Sequence, residues 1–79
     1  MRHPDIWQQV GLNILYYRKQ KRLTQMQLAE RCRGRGEDAH ISRNYIQRIE
    51  TGISSCTLDT LIDIADALEV SLAQLMEIR

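Results

Sequence analysis

Residues 42–50 read Ser42-Arg43-Asn44-Tyr45-Ile46-Gln47-Arg48-Ile49-Glu50. Wound as a helix at about 100° per residue, the stretch divides into two arcs. Tyr45, Ile46 and Ile49 share one, and Arg43, Asn44, Gln47 and Arg48 share the other. The second arc carries two guanidiniums and two carboxamides and no carboxylate. Arg offers a fork of donors that matches guanine O6 and N7, and Asn or Gln pairs bidentately with adenine. An ordinary solvated face mixes Glu and Lys into the same surface. Two readings therefore stand: a helix that reads base edges in a DNA major groove, and a polar surface on a short helix.

The flanks place this helix among others. Ser42 is its N-cap, Ile41 and Ile46 form a hydrophobic staple, and Gly52 is suited to the left-handed turn after its end. Upstream, Thr24 and Gln27 make a capping box and Leu23 and Leu28 a staple, so a helix starts at Gln25. Gln25 then lies exposed beside backbone N–H groups without intrahelical partners, where an anion is favoured. Asp5 is the expected N-cap of the first helix, whose apolar stripe is Ile6, Val10, Ile14 and Tyr17, widened by Leu15. Its last turns collect Arg18, Lys19, Lys21 and Arg22, which suit a helix C-terminus or a phosphate. Downstream, Thr57 caps a helix with Leu58, Leu61, Ile62, Ala65 and Leu68 toward the core and Asp59, Asp63 and Asp66 outward. Ser71 with Gln74, and Val70 with Leu75, open a short fifth helix. Helices are expected over about 5–22, 25–32, 43–50, 58–68 and 72–77, with a loop at 33–41 where Gly34 and Gly36 break any helix.

The totals agree with a single all-α domain over 1–79, a compact five-helix bundle. Seventy-nine residues, 43% hydrophobic with no Phe, suit a small aliphatic core. Net charge is only +1, but residues 1–48 hold ten Lys/Arg against four acids and residues 49–79 one Arg against six acids. Such a split presents one attractive face to a polyanion. Cys32 and Cys56 lack metal-ligand spacing with His3 or His40, so free thiols in a reducing compartment and no metal or other cofactor are expected. No apolar run approaches a membrane span and no export signal opens the chain, which points to a cytoplasmic protein.

Gly11, Arg18, Leu23-Thr24-Gln25-x-x-Leu28-Ala29-Glu30, Ile41-Ser42-x-x-Tyr45-Ile46-x-x-Ile49-Glu50-x-Gly52 and Leu58-x-x-Leu61-x-x-Ile64-Ala65-x-Ala67-Leu68-x-Val70-Ser71 form an ordered set. Together they closely resemble the Cro/lambda-repressor-like helix-turn-helix family, also called the XRE family. The resemblance covers roughly residues 10–76. It implies that Arg43, Asn44 and Arg48 read bases, and that Ser42, Gln47 and Gln25 meet the DNA backbone or a base edge. Arg18 and Glu50 match the family's ion pair between the first and third helices. Ser54, in the turn after the third helix, and Arg33 and Arg35 in the loop are further candidates for phosphate. Two departures stand out. Glu30 and Glu50 are twenty residues apart, where the family has about thirteen, so the turn between the two helices is expanded. A long surface loop costs little (about 0.6 kcal/mol per doubling), but it leaves the angle of the third helix open. The family's usual Lys in the next turn is here Ile53.

The function expected is a sequence-specific, DNA-binding transcriptional regulator, of bacterial or phage type and nucleoid-associated when bound. The chain ends soon after the fifth helix, so no sensor domain is expected. The family suggests a Cro-like repressor, a controller protein or an antitoxin-type regulator, bound as a homodimer to a palindromic double-stranded operator. Val70, Leu72, Leu75, Met76 and Ile78 exceed what a short helix buries and are the expected dimer surface. The alternative is a protein-interaction module on the same fold, which predicts a neutral or acidic face on residues 43–50. No catalytic triad, carboxylate pair or phosphate loop suggests an enzyme, and no small-molecule substrate is evident.

Overall fold

A computed structural model of the chain describes residues 4–32 and 41–77. Five helices follow in order: α1 Pro4–Gln20, α2 Gln25–Arg31, α3 Arg43–Glu50, α4 Leu58–Leu68 and α5 Leu72–Leu75. No strand occurs among the described residues. The expected ends of α3 and α4 agree with those found, while α5 stops at Leu75 rather than running to 77.

α1 departs from expectation at both ends. Its first residue is Pro4, whose fixed φ suits the start of a helix. Asp5 therefore lies inside the helix and is not its N-cap. At the other end Arg22 adopts φ 58°. The N–H of Leu23 donates to the Arg18 carbonyl at 3.1 Å and that of Arg22 to the Lys19 carbonyl at 3.0 Å. This is a Schellman closure, which satisfies carbonyls that the helix end leaves over. The same closure ends α3 through Gly52 (φ 77°) and α4 through Glu69 (φ 61°). There Ile53 donates to Arg48 at 3.0 Å and Val70 to Ala65 at 3.0 Å. Two of the three left-handed positions are thus held by residues with a Cβ. Lys21 Nζ lies 3.1 Å from Glu69 Oε1, tying the end of α1 to the end of α4.

The helix starts follow their capping residues. Thr24 Oγ1 accepts from the Gln27 N–H at 3.0 Å while Gln27 Oε1 accepts from the Thr24 N–H at 2.8 Å. Ser71 and Gln74 repeat that box at 3.1 and 2.8 Å. Ser42 and Thr57 each accept from the N–H three residues on. Each such cap is worth about 1 kcal/mol.

Val10 and Ile14 from α1, Leu28 from α2, Ile46 and Ile49 from α3, Leu61, Ile64 and Leu68 from α4, and Leu75 are all at most 2% exposed. Ile41, just before α3, is buried against the same core. Three expected positions differ. Ile6 is 40% exposed, so the α1 stripe begins at Val10. Leu58 is 56% exposed and Asp63 only 4%, which rotates the buried face of α4 toward Ile64. α2 packs against α4, and Asp63 lies close enough to Cys32, at the end of α2, for its charge to act on that thiol. Asn13, buried in α1, donates to the carbonyls of Leu75 at 2.9 Å and Glu77 at 2.7 Å and accepts from Gln9 at 3.1 Å. It thereby caps the C-terminal end of α5 from the side of α1.

Candidate nucleic-acid interface

α3 sorts its residues as its sequence implies. Arg43, Asn44, Gln47 and Arg48 are exposed, while Ile46 and Ile49 are buried and Tyr45 is half-buried. The outward face is a set of donors and acceptors with two positive charges and no acid. Ser42 fixes the start of the helix by accepting from the Tyr45 N–H at 3.1 Å. Tyr45 packs against the core, with Thr60 of α4 near its hydroxyl. Partial burial, followed by nearby Cys56, pushes its ionisation up despite Thr60 and Arg48.

The inward side of the α3 C-terminus carries a polar network. Arg18 Nε approaches Glu50 Oε2 at 2.5 Å and Arg18 Nη2 donates to Oε1 at 3.1 Å, a side-on fork. Arg18 Nη1 donates to the Leu23 carbonyl at 2.7 Å, in the link between α1 and α2. Both side chains are buried, at 11% and 3% exposure. Such a pair fixes geometry more than it adds net stability, because desolvation offsets most of the attraction. No buried side-chain polar atom of the described residues lacks a hydrogen-bond partner.

Beside this network α1 meets α3 backbone to backbone. A Cβ at Gly11 would fall 2.7 Å from the Glu50 carbonyl oxygen, nearer than atoms approach. Gly52 is constrained twice, by its φ and by Gln8, whose Cγ would lie 2.8 Å from a Cβ there. The angle of α3, open in the sequence because of the long turn before it, is thus set from behind by α1 and by Arg18.

The other candidates are distributed as follows. Gln25, expected to be exposed and free for an anion, is half-buried, and its Nε2 donates to Glu50 Oε1 at 3.0 Å. Ser54 stands in the turn after α3, but its N–H already donates to the Arg48 carbonyl at 3.2 Å. Ile53 beside it is 73% exposed. Arg33 and Arg35 lie outside the described residues, as do His3, His40 and Ile78. In the basic cluster of α1, Arg18 is used internally and Lys21 pairs with Glu69, which leaves Lys19 and Arg22 exposed. Of the expected dimer surface, Leu75 is corrected: at 0% exposure it belongs to this chain's own core. Val70 and Leu72 are half-buried and Met76 is 44% exposed.

Cys32 and Cys56 are free thiols, both half-buried. Burial, helped by the Asp63 charge, pushes Cys32 up to about 12, and burial pushes Cys56 up to about 11. Among the described residues no three His, Cys, Asp or Glu side chains form a group that would hold a metal. No described helix is long and apolar enough to cross a membrane.

The role of Gln25 and the inward work of Asn13 are not apparent from the sequence. The only signal for Asn13 is a carboxamide set in the apolar run Val10–Leu15.

Residues 14–75 match a family model described as helix-turn-helix. No curated protein matches the sequence. Solved structures do. The restriction-modification controller protein C.AhdI from Aeromonas hydrophila is similar with a TM-score of 0.81 at 23% identity, over 95% of this chain and 99% of that one. The hypothetical transcription factor NHTF from Neisseria gives 0.79 at 22%, over 98% and 82%. The clp gene regulator ClgR from C. glutamicum gives 0.75 at 24%, over 89% and 82%. At these identities the likeness is one of fold.

Proposed function

The chain belongs to the XRE family of helix-turn-helix DNA-binding transcription regulators, and from that premise we propose that it reads a palindromic operator as a homodimer, with α3 in the major groove. The observation that carries this reading is the outward face of α3: Arg43, Asn44, Gln47 and Arg48 are exposed together, on a helix whose other side is buried. Arg43, Asn44 and Arg48 contact base edges, and Ser42, Gln47 and the turn around Ser54 contact the backbone or an edge. Eight residues rise only about 12 Å, which spans three to four base pairs. One copy is therefore too small a reader for selectivity, and two copies about one helical turn (~34 Å) apart supply it. Val70, Leu72 and Met76 are the apolar surface proposed to join them.

Selection of bound sequences from a random duplex pool tests the reading directly. A palindromic consensus is expected. On that operator Arg43→Ala and Arg48→Ala should each cost roughly 1–3 kcal/mol and relax base preference at one position. Equal loss on every sequence would make them phosphate contacts, and no enrichment with an intact fold would favour the protein-interaction module. Sedimentation that gives only monomer up to high micromolar would remove the dimer.

A further inference from the structure

Gln25 is the first residue of α2, and its amide reaches the last residue of α3. The Glu50 carboxylate there takes three donors, two from Arg18 of α1 and one from Gln25 of α2. Arg18 in turn holds the Leu23 carbonyl just ahead of α2. Three helices therefore meet at one buried carboxylate, and among the described residues Gln25 is the only side chain of α2 in that bonding. As a neutral donor it satisfies Glu50 Oε1 without placing a second cation beside Arg18.

We propose that Gln25 is a positioning residue for DNA reading: a strut from α2 to Glu50 that sets the angle at which α3 enters the groove, rather than a ligand of the phosphate backbone. The inference rests on the function proposed above. Its physical basis is leverage. α3 is pinned at Glu50, and Arg43 and Asn44 lie at the far end of the helix, about 10 Å away at 1.5 Å per residue. A rotation of about 5° at the pin displaces them by about 1 Å. Bonds to base edges need donor–acceptor distances near 2.7–3.2 Å and fail on such a shift. Attraction between Arg and phosphate declines over about 8–10 Å and persists. Loss of the strut should therefore reduce operator binding while sparing non-specific binding. Loss of a phosphate contact should reduce both alike.

The test is Gln25→Met, which keeps the length and removes the donor, in the full chain. Thermal unfolding first establishes that the variant is folded at the assay temperature. If it is not, Gln25→Asn, which keeps the amide but falls a methylene short of Glu50, takes its place. Affinity is then measured at one salt concentration for the selected operator, for a random duplex, and for operators with each phosphate in turn replaced by methylphosphonate. The expected result is a loss of about tenfold on the operator and at most about twofold on the random duplex, with the tenfold loss unchanged on every methylphosphonate. Equal losses on operator and random duplex would overturn the inference, as would a loss that disappears at one methylphosphonate. A parent chain that binds no duplex would instead overturn the proposed function, and the inference with it.

Discussion

Gly11 of α1 lies against the backbone of Ile49 in α3, so close that a Cβ on it would run into the Ile49 carbonyl oxygen. Alanine is the better helix former by about 1 kcal/mol. The obstructing atoms are main chain and cannot rotate away, so overpacking at about 1–3 kcal/mol or more should outweigh that gain. Gly11→Ala is expected to lower the urea midpoint and, by shifting α3, to weaken operator binding beyond what the lost stability explains. A variant as stable as the parent would contradict the contact.

Arg18 and Glu50 should behave unequally when removed singly and together. Arg18→Met leaves the Glu50 carboxylate buried with only the Gln25 donor, at a cost of about 3–5 kcal/mol. The double variant Arg18→Met/Glu50→Leu removes the stranded charge with its partner and should be more stable than Arg18→Met alone. Equilibrium denaturation of the parent, the singles and the double completes the cycle. Simple additivity would mean that the pair is not coupled.

Arg22 occupies a left-handed position at φ 58°. That conformation costs a residue with a Cβ roughly 1–2 kcal/mol, against some 0.4–1 kcal/mol that glycine adds to the entropy of the unfolded chain. Arg22→Gly is therefore expected to stabilise by up to about 1 kcal/mol, which is a rise of several degrees in Tm for a chain of this size. Differential scanning calorimetry checks it, and a lower Tm would count against the Schellman geometry. Glu69→Gly should gain less, because it also removes the partner of Lys21.

The two thiols make the fold sensitive to alkali. Folded, Cys32 and Cys56 ionise at about 12 and about 11, whereas in the unfolded chain a thiol ionises near about 8.5. In that window the folded state binds more protons than the unfolded state. Their contribution is thus complete below about pH 8.5 and is lost as pH rises through the folded values. Tyr45, pushed in the same direction, adds to the loss at higher pH. Denaturant midpoints followed from pH 8 upward should fall, and Cys32→Ala/Cys56→Ala should flatten the early part of the slope. At neutral pH a disulfide reagent should modify both thiols slowly until denaturant is added.

Local signals were legible in the sequence wherever a few adjacent residues settle them. Thr24 with Gln27, Ser42, Thr57, and Ser71 with Gln74 place the starts of α2, α3, α4 and α5 without reference to anything distant. The outward face of α3 was legible for the same reason, as one short amphipathic stretch. What depends on a neighbour was not. Periodicity along α4 does not say which flank α2 will cover, so Asp63 and Leu58 exchanged their expected environments. Leu75 carried no mark to separate core from interface. The place of Gln25 at a helix start predicts an exposed side chain, whereas its environment is decided by Glu50, brought to it by the chain folding back. Arg22 and Glu69 end their helices where a glycine would be the signal, and so the sequence alone carries α1 two residues further than its end at Gln20.

Arg18, Gln25 and Gly11 all hold α3 from behind, and the four outward side chains lie outside the buried core. Positions 43, 44, 47 and 48 can vary in identity while the scaffold stays the same. Target preference and folding are thereby separable in this chain. On the function proposed above, operator choice can drift, or be reprogrammed by exchanging four surface residues, without passing through unfolded intermediates in sequence space.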